Sequence, residues 1–204
     1  MITPTFTEVS GGSYSIQNVK PSGDEIGGWG DVNIQFIDEQ GNWSDQYFWW
    51  TADMGAPAGV DGWYDGDELA TVSIPTAKGF VLSSDDGAGV VTVAGAVDFE
   101  QKSIDMFQGY NGAGNSKPVA VDIQKIVPTG DSVGGWGDVN IQFIDNGGNW
   151  SNQYFWWTAD MGAPAGVDGW YDGDELVAAE IAPGAGFVLS SDEGDCKLTI
   201  PAIQ

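Results

Sequence analysis

Residues 27–69 read GGWGDVNIQFIDEQGNWSDQYFWWTADMGAPAGVDGWYDGDEL, and residues 134–176 read GGWGDVNIQFIDNGGNWSNQYFWWTADMGAPAGVDGWYDGDEL. The two runs align without a gap and differ only at Glu39/Asn146, Gln40/Gly147 and Asp45/Asn152. Self-similarity at a fixed spacing defines the folding unit before any local pattern is weighed. It divides the 204 residues into two tandem β-repeat units, 1–97 and 98–204, each the size of a small domain.

Inside the run, residues 31–38 alternate, with Val32, Ile34 and Phe36 on one side and Asn33 and Gln35 on the other, the period of a strand. Residues 39–42 read as a hairpin turn. The return strand, residues 43–51, carries aromatic side chains on both faces: Phe48 and Trp50 with Gln46 on one, Tyr47 and Trp49 on the other. A strand with one face in water keeps that face polar, so this pattern predicts either a doubly covered sheet or an exposed aromatic row.

Outward from this pair, residues 13–19 (SYSIQNV) read as a strand pointing Tyr14, Ile16 and Val19 to a core, with 119–127 as counterpart. Residues 53–67 read as a long glycine-rich loop and residues 70–74 as a short strand ended by Pro75. Residues 80–83 and 90–94 read as a closing hairpin across Asp85, Asp86 and Gly87; the second unit repeats these strands at 177–181, 187–190 and 197–200. Residues 103–107 read as the opening strand of the second unit, with Phe6 marking its equivalent and a longer insertion following it in the second unit. Glycine and proline interrupt every window long enough for a helix. The expected fold is all-β: two tandem near-identical modules, each a small β-barrel or β-sandwich of short antiparallel strands.

The charge is one-sided, 30 acidic against 6 basic residues for a net of -24. Such a surface repels phosphate backbones and anionic lipid, so no nucleic-acid role is expected. No apolar run approaches the ~18 residues of a membrane helix, so no membrane insertion is expected. Cys196 is alone and histidine is absent, which excludes an intrachain disulfide, cysteine zinc sites, Ser-His-Asp machinery and histidine-ligated metals. Cys196 aligns with Gly89 in the closing turn and reads as an incidental exposed thiol.

The order GYNGAGN (109–115), VDIQKIVP (121–128), a strand-turn-strand, GWYD (62–65 and 169–172), GFVL (79–82 and 186–189) and VTVAGAV (91–97) resembles a glycine-rich tandem β-repeat of large secreted or cell-surface bacterial proteins. The length and tryptophan content between Trp43 and Trp63 depart from that pattern. The resemblance implies modularity and a secreted or cell-surface location, with the targeting segment outside this chain, and it carries over no catalytic residue.

Two sets of residues carry candidate chemistry. Asp61, Asp65, Asp67 and Glu68, repeated as Asp168, Asp172, Asp174 and Glu175, place carboxylates among glycines and can furnish oxygen ligands to calcium, although not at EF-hand spacing. The plain alternative is a solvated acidic turn, so the expectation is no cofactor, or calcium here. The second set is aromatic: Trp49, Trp50 and Trp63 with Trp156, Trp157 and Trp170, joined by Trp29, Trp43 and Tyr47 and by the amides of Asn33, Gln35 and Gln46. Flat indole faces beside amides suit sugar rings, whereas buried indoles merely fill a core. Because Trp49 and Trp50 point to opposite faces, at least one lies outside any core the other belongs to.

The expected function is non-catalytic: an extracellular structural or adhesive tandem module of a bacterial surface or secreted protein. Its partners are polysaccharide or other copies of the chain. A carbohydrate-binding pair using exposed tryptophans is the alternative reading, and a glycoside-active enzyme the third.

Overall fold

The computed structural model of the chain describes residues 6–7, 13–23, 26–38, 40–75, 77–85, 90–93, 96–97, 99–131, 133–145, 147–192 and 196–203. They form antiparallel sheets and short 3-10 turns, with no α-helix among the described residues. The first half carries β1 (Phe6–Thr7), β2 (Ser13–Ser15), β3 (Val19–Ser22), β4 (Val32–Phe36), β5 (Tyr47–Trp50) and β6 (Gly62–Asp65). It continues with β7 (Glu68–Leu69), β8 (Ser73–Pro75), β9 (Phe80–Ser84), β10 (Val90–Val93) and β11 (Ala96–Val97). The second half carries β12 (Lys102–Met106), β13 (Gly109–Gly114), β14 (Val121–Asp122), β15 (Val127–Thr129), β16 (Val139–Phe143) and β17 (Tyr154–Trp157). It ends with β18 (Gly169–Asp172), β19 (Glu175–Leu176), β20 (Glu180–Ile181), β21 (Gly186–Ser191) and β22 (Cys196–Ile200).

Each repeated run supplies the body of one main sheet. Its strand order is β7-β6-β5-β4-β9 in the first half and β13-β21-β16-β17-β18-β19 in the second. The alternation seen in the sequence sets the inner face: Val32, Ile34 and Phe36 are buried beside Trp49, Trp63 and Phe80 from neighbouring strands. Tyr14, Ile16, Val19 and Ile74 close the same core from β2, the turn that follows it, β3 and β8. Ile123, Ile126, Val139, Ile141, Trp156, Trp170, Phe187 and Leu189 do the same in the second half. Each such aliphatic or phenyl side chain, fully buried, contributes roughly 1.5–3 kcal/mol.

Four readings are corrected. Residues 13–19 are not one strand: β2 gives way to a 3-10 turn, Ile16–Asn18, because the Ser15 hydroxyl accepts from the Gln17 amide and caps it. Residues 62–65, read as loop, form β6, which pairs Trp63 with Trp49; its glycine and acids at either end mask a strand whose middle is aromatic. The expected closing hairpin does not form. β9 pairs with β4, whereas β10 pairs with β3 in another sheet, so the chain changes sheets after Ser84. Asp86, Gly87 and Ala94 of that reading, and Glu39 and Asn146 of the hairpin turns, lie outside the described residues. Cys196, finally, is buried, since it starts β22 opposite Met106 and packs into the core.

The halves meet through β13. One edge of this strand pairs along β21, Ala113 opposite Phe187. Its other edge meets residues 77–79: Gly79 donates its amide to Gly112 O at 3.2 Å, and Gly114 donates to Ala77 O at 3.1 Å. Nearby, Gly41 adopts a φ of 77° and comes so close that a Cβ there would lie 3.1 Å from the Tyr110 nitrogen.

Candidate binding surface

The alternation of β5 divides its tryptophans between two environments. Trp49 turns inward and meets Trp63 edge to face, ring centroids 5.6 Å apart at 68°. Trp63 is fully buried and its Nε1 donates to Val19 O at 2.7 Å. In the second half Trp156 and Trp170 stand 5.5 Å apart at 68°, and Trp170 Nε1 donates to Ile126 O at 2.7 Å. These four indoles are core, and a ligand in solvent has no face of Trp63 or Trp170 to touch.

Trp50 and Trp157 turn the other way. Trp50 Nε1 donates to Met54 O at 3.0 Å, and Trp157 Nε1 donates to Met161 O at 3.0 Å, tying each ring to its own loop. Trp29 lies over this face, 4.5 Å from the Phe48 ring and 5.1 Å from the Trp50 ring. Trp136 repeats the arrangement, 4.3 Å from Phe155 and 5.0 Å from Trp157. The bend that carries Trp29 is tied by Asp31, whose carboxylate accepts from the Gly28 amide at 2.7 Å and the Gly27 amide at 3.2 Å. Asp138 accepts from Gly135 at 2.6 Å in the same place. Trp29 and Trp136 nevertheless remain 47% and 46% exposed, so each half offers an indole ledge backed by two further rings. The sequence signal for this ledge is GGWG, a bulky ring set among glycines with an acid next to them.

A second aromatic feature lies between the halves. Trp43 bridges to Ile37 and Trp150 to Ile144, just after equivalent hairpin turns, and each is 48% exposed. Both line a groove of about 360 Å³ with Tyr110 and the amide of Gln142.

The acidic segments are hairpin ends. Asp61 and Asp168 are engaged, each accepting at 2.8 Å from a backbone amide, Ala52 and Ala159 respectively. Asp65 faces Glu68, and Asp172 faces Glu175, across two-residue turns in which Gly66 and Gly173 take φ values of 58° and 59°. Asp67 and Asp174 occupy those turns. Among the described residues no group of three or more His, Cys, Asp or Glu gathers to hold a metal ion. Nearby, burial and the carboxylates of Asp65 and Asp45 push the Tyr47 phenol above its ordinary value. At the β4–β5 turn the amide of Asn42 holds the Asp38 carboxyl below its ordinary value, assisted by Gln40.

Comparison of the chain with protein-family models, with curated proteins and with solved structures finds no match.

Proposed function

We propose that this chain is a non-catalytic adhesive pair of tandem β-sandwich modules from a secreted or cell-surface bacterial protein, and that it holds polysaccharide through outward aromatic side chains. The observation that carries the reading is the Trp29–Phe48–Trp50 ledge and its repetition as Trp136–Phe155–Trp157. Indole faces stack on the C–H faces of sugar rings, and large exposed aromatic patches on a soluble surface mark contact sites. Two equal sites on one chain raise avidity for a repeating polymer without any new contact. The net charge of -24 favours neutral or cationic glycans over sulfated or uronic ones. Glycoside hydrolysis requires two carboxyl groups across a cleft, and the carboxylates of residues 61–68 are engaged by backbone or set in a tight turn.

A glycan array probed with the intact chain, followed by tryptophan fluorescence titration, tests this. Binding that falls at least tenfold in the Trp29→Ala/Trp136→Ala double variant, with unchanged folding, supports it. If no glycan binds and the same double variant instead abolishes self-association, the aromatic ledges join copies of the chain and the role is structural.

A further inference from the structure

Residues 79–85 and 186–192 have the same sequence, GFVLSSD, yet they are covered differently. In the second half, β21 lies between two strands: β16 on one edge and β13 on the other. In the first half, β9 pairs with β4 alone among the described residues and ends its sheet. The side chains report the difference. Val188, Leu189 and Ser191 are buried, whereas Val81 and Leu82 are half-buried and Ser84 is exposed.

Residues 107–120 separate β12 from β14 and include β13, whereas among the described residues the first half has no strand in the corresponding place.

Backbone direction identifies the open groups. Asp85 donates its amide to Asp31 O, on the β4 side. Alternation along the strand then turns the N–H and C=O groups of Phe80, Leu82 and Ser84 to the opposite edge. Their equivalents Phe187, Leu189 and Ser191 face Ala113, Asn111 and Gly109 of β13. The contact of β13 with the first half stops at residues 77–79, before Phe80, and so does not fill this edge. Alongside Val81–Ser84 runs a groove of about 890 Å³, walled on the far side by Phe143, Asp145, Gly148 and Pro183. The segment Phe80–Ser84 carries none of the devices that protect exposed edges: no lysine, no proline, no inward charge.

We propose that the outer edge of β9 accepts an antiparallel strand from a partner polypeptide, uncharged and glycine-rich, with a small residue opposite Phe80. The model for this occupant is what the identical strand accepts within the chain: in GYNGAG, the buried Ala113 sits opposite the buried Phe187. Main-chain hydrogen bonds supply the affinity, and Phe80, whose equivalent Phe187 takes Ala113 opposite it, supplies the selection. The site is independent of the aromatic ledges.

The test uses the full chain and a synthetic peptide, QGYNGAGN, the sequence of residues 108–115. Hydrogen exchange at Phe80, Leu82 and Ser84 is expected to slow at least tenfold at millimolar peptide, while Phe187, Leu189 and Ser191 are already slow without it. A peptide N-methylated at the positions of Asn111 and Ala113 loses two donors and is expected to bind at least tenfold more weakly. Ser84→Pro removes one outward donor from an edge strand, where proline is tolerated, and is expected to weaken the peptide similarly. Unchanged exchange at saturating peptide, or equal binding of the N-methylated peptide, overturns the proposal. So does protection of the three β9 amides that grows with protein concentration alone, since the occupant would then be a second copy.

Discussion

Gln17 and Trp63 are joined by a reciprocal pair of hydrogen bonds: Gln17 Nε2 donates to Trp63 O at 2.9 Å, and the Trp63 amide donates to Gln17 Oε1 at 2.9 Å. The same Nε2 donates to Ala70 O at 2.8 Å. One side-chain amide thus behaves as a short length of strand beside β6, and Gln124 repeats it on Trp170 and Val177. Gly62 makes room for it, since a Cβ there would lie 2.8 Å from Gln17 Oε1 and 2.7 Å from a Leu69 methyl.

Replacing Gln17 by Leu keeps the volume and removes the side-chain partner of the Trp63 amide and of Ala70 O, whereas Trp63 O keeps the Ala70 amide at 2.8 Å. Each buried polar group left unsatisfied costs about 1–3 kcal/mol. Urea unfolding of Gln17→Leu and of Gln124→Leu is expected to show losses in that range or above it. A change within experimental error would mean that water replaces the amide at no cost.

The Gln17 contact was not legible in the sequence, and the reason is physical. Alternation along Val32, Ile34 and Phe36 says which face is buried, because side-chain period depends only on local backbone. It is silent on which strands are neighbours. β9 and β10 were readable as strands, yet their partners β4 and β3 lie about fifty and seventy residues upstream, a matter of chain closure and not of local pattern. β6 and β13 were missed because GWYD and GYNGAG are written in turn residues; the first is made a strand by aromatic pairing with β5, the second by pairing along the outer edge of β21. The opposed directions of Trp49 and Trp50 were legible, and they locate the ledge.

That opposition gives a second prediction. Trp49→Ala opens a cavity against Trp63 and is expected to cost about 3–5 kcal/mol. Trp50→Ala removes a half-buried ring that rests on Trp29 and one hydrogen bond, and is expected to cost less than half as much. Denaturant midpoints for the two variants decide it. Equal large losses would place the outer cluster in a core and remove the ledge as a binding surface.

The β4–β5 turns should sense acid. The Asp38 carboxylate accepts from the Gln40 and Asn42 amides at 2.8 Å each, and Asp145 accepts from Gly147 at 2.8 Å and from Asn149 at 2.9 Å. Both carboxyls are thereby held below the ordinary value of 3.8. A lowered folded-state pKa stabilises above the unfolded value and is lost as pH falls through the folded one, so these turns loosen only in acid below that ordinary value. Amide chemical shifts of Asn42 and Asn149 are expected to titrate with depressed midpoints, and Asp38→Asn to abolish the titration at Asn42. Midpoints at the ordinary value would show that the carboxylate bonds do not persist in solution.

The acidic hairpin ends predict a response to cations that is general rather than specific. Carboxylates crowd the chain at a net charge of -24, and any cation relieves their repulsion. A calcium site would add RT ln(1 + [L]/Kd), about 2.7 kcal/mol at a hundredfold excess over Kd. With Asp61 and Asp168 engaged by backbone amides, calcium and magnesium are expected to raise Tm equally at matched ionic strength. A calcium-specific increment lost in Asp65→Asn/Asp172→Asn would reveal a site assembled on binding.

Folding of the second half is expected to need both β12 and β13. β12 runs beside β22, with Met106 opposite Cys196 and Ile104 opposite Leu198, and β13 runs the length of β21. A chain beginning at residue 100 keeps both strands, and one beginning at residue 115 loses both. Truncating one buried methionine costs roughly 2–5 kcal/mol, and a lost strand also bares the backbone of its neighbour to other chains. Residues 100–204 are therefore expected to unfold cooperatively as a monomer, and residues 115–204 to aggregate or to unfold at a much lower denaturant concentration. Equal midpoints for the two would mean that β12 and β13 merely rest on the second half, and that its folding unit begins at β14.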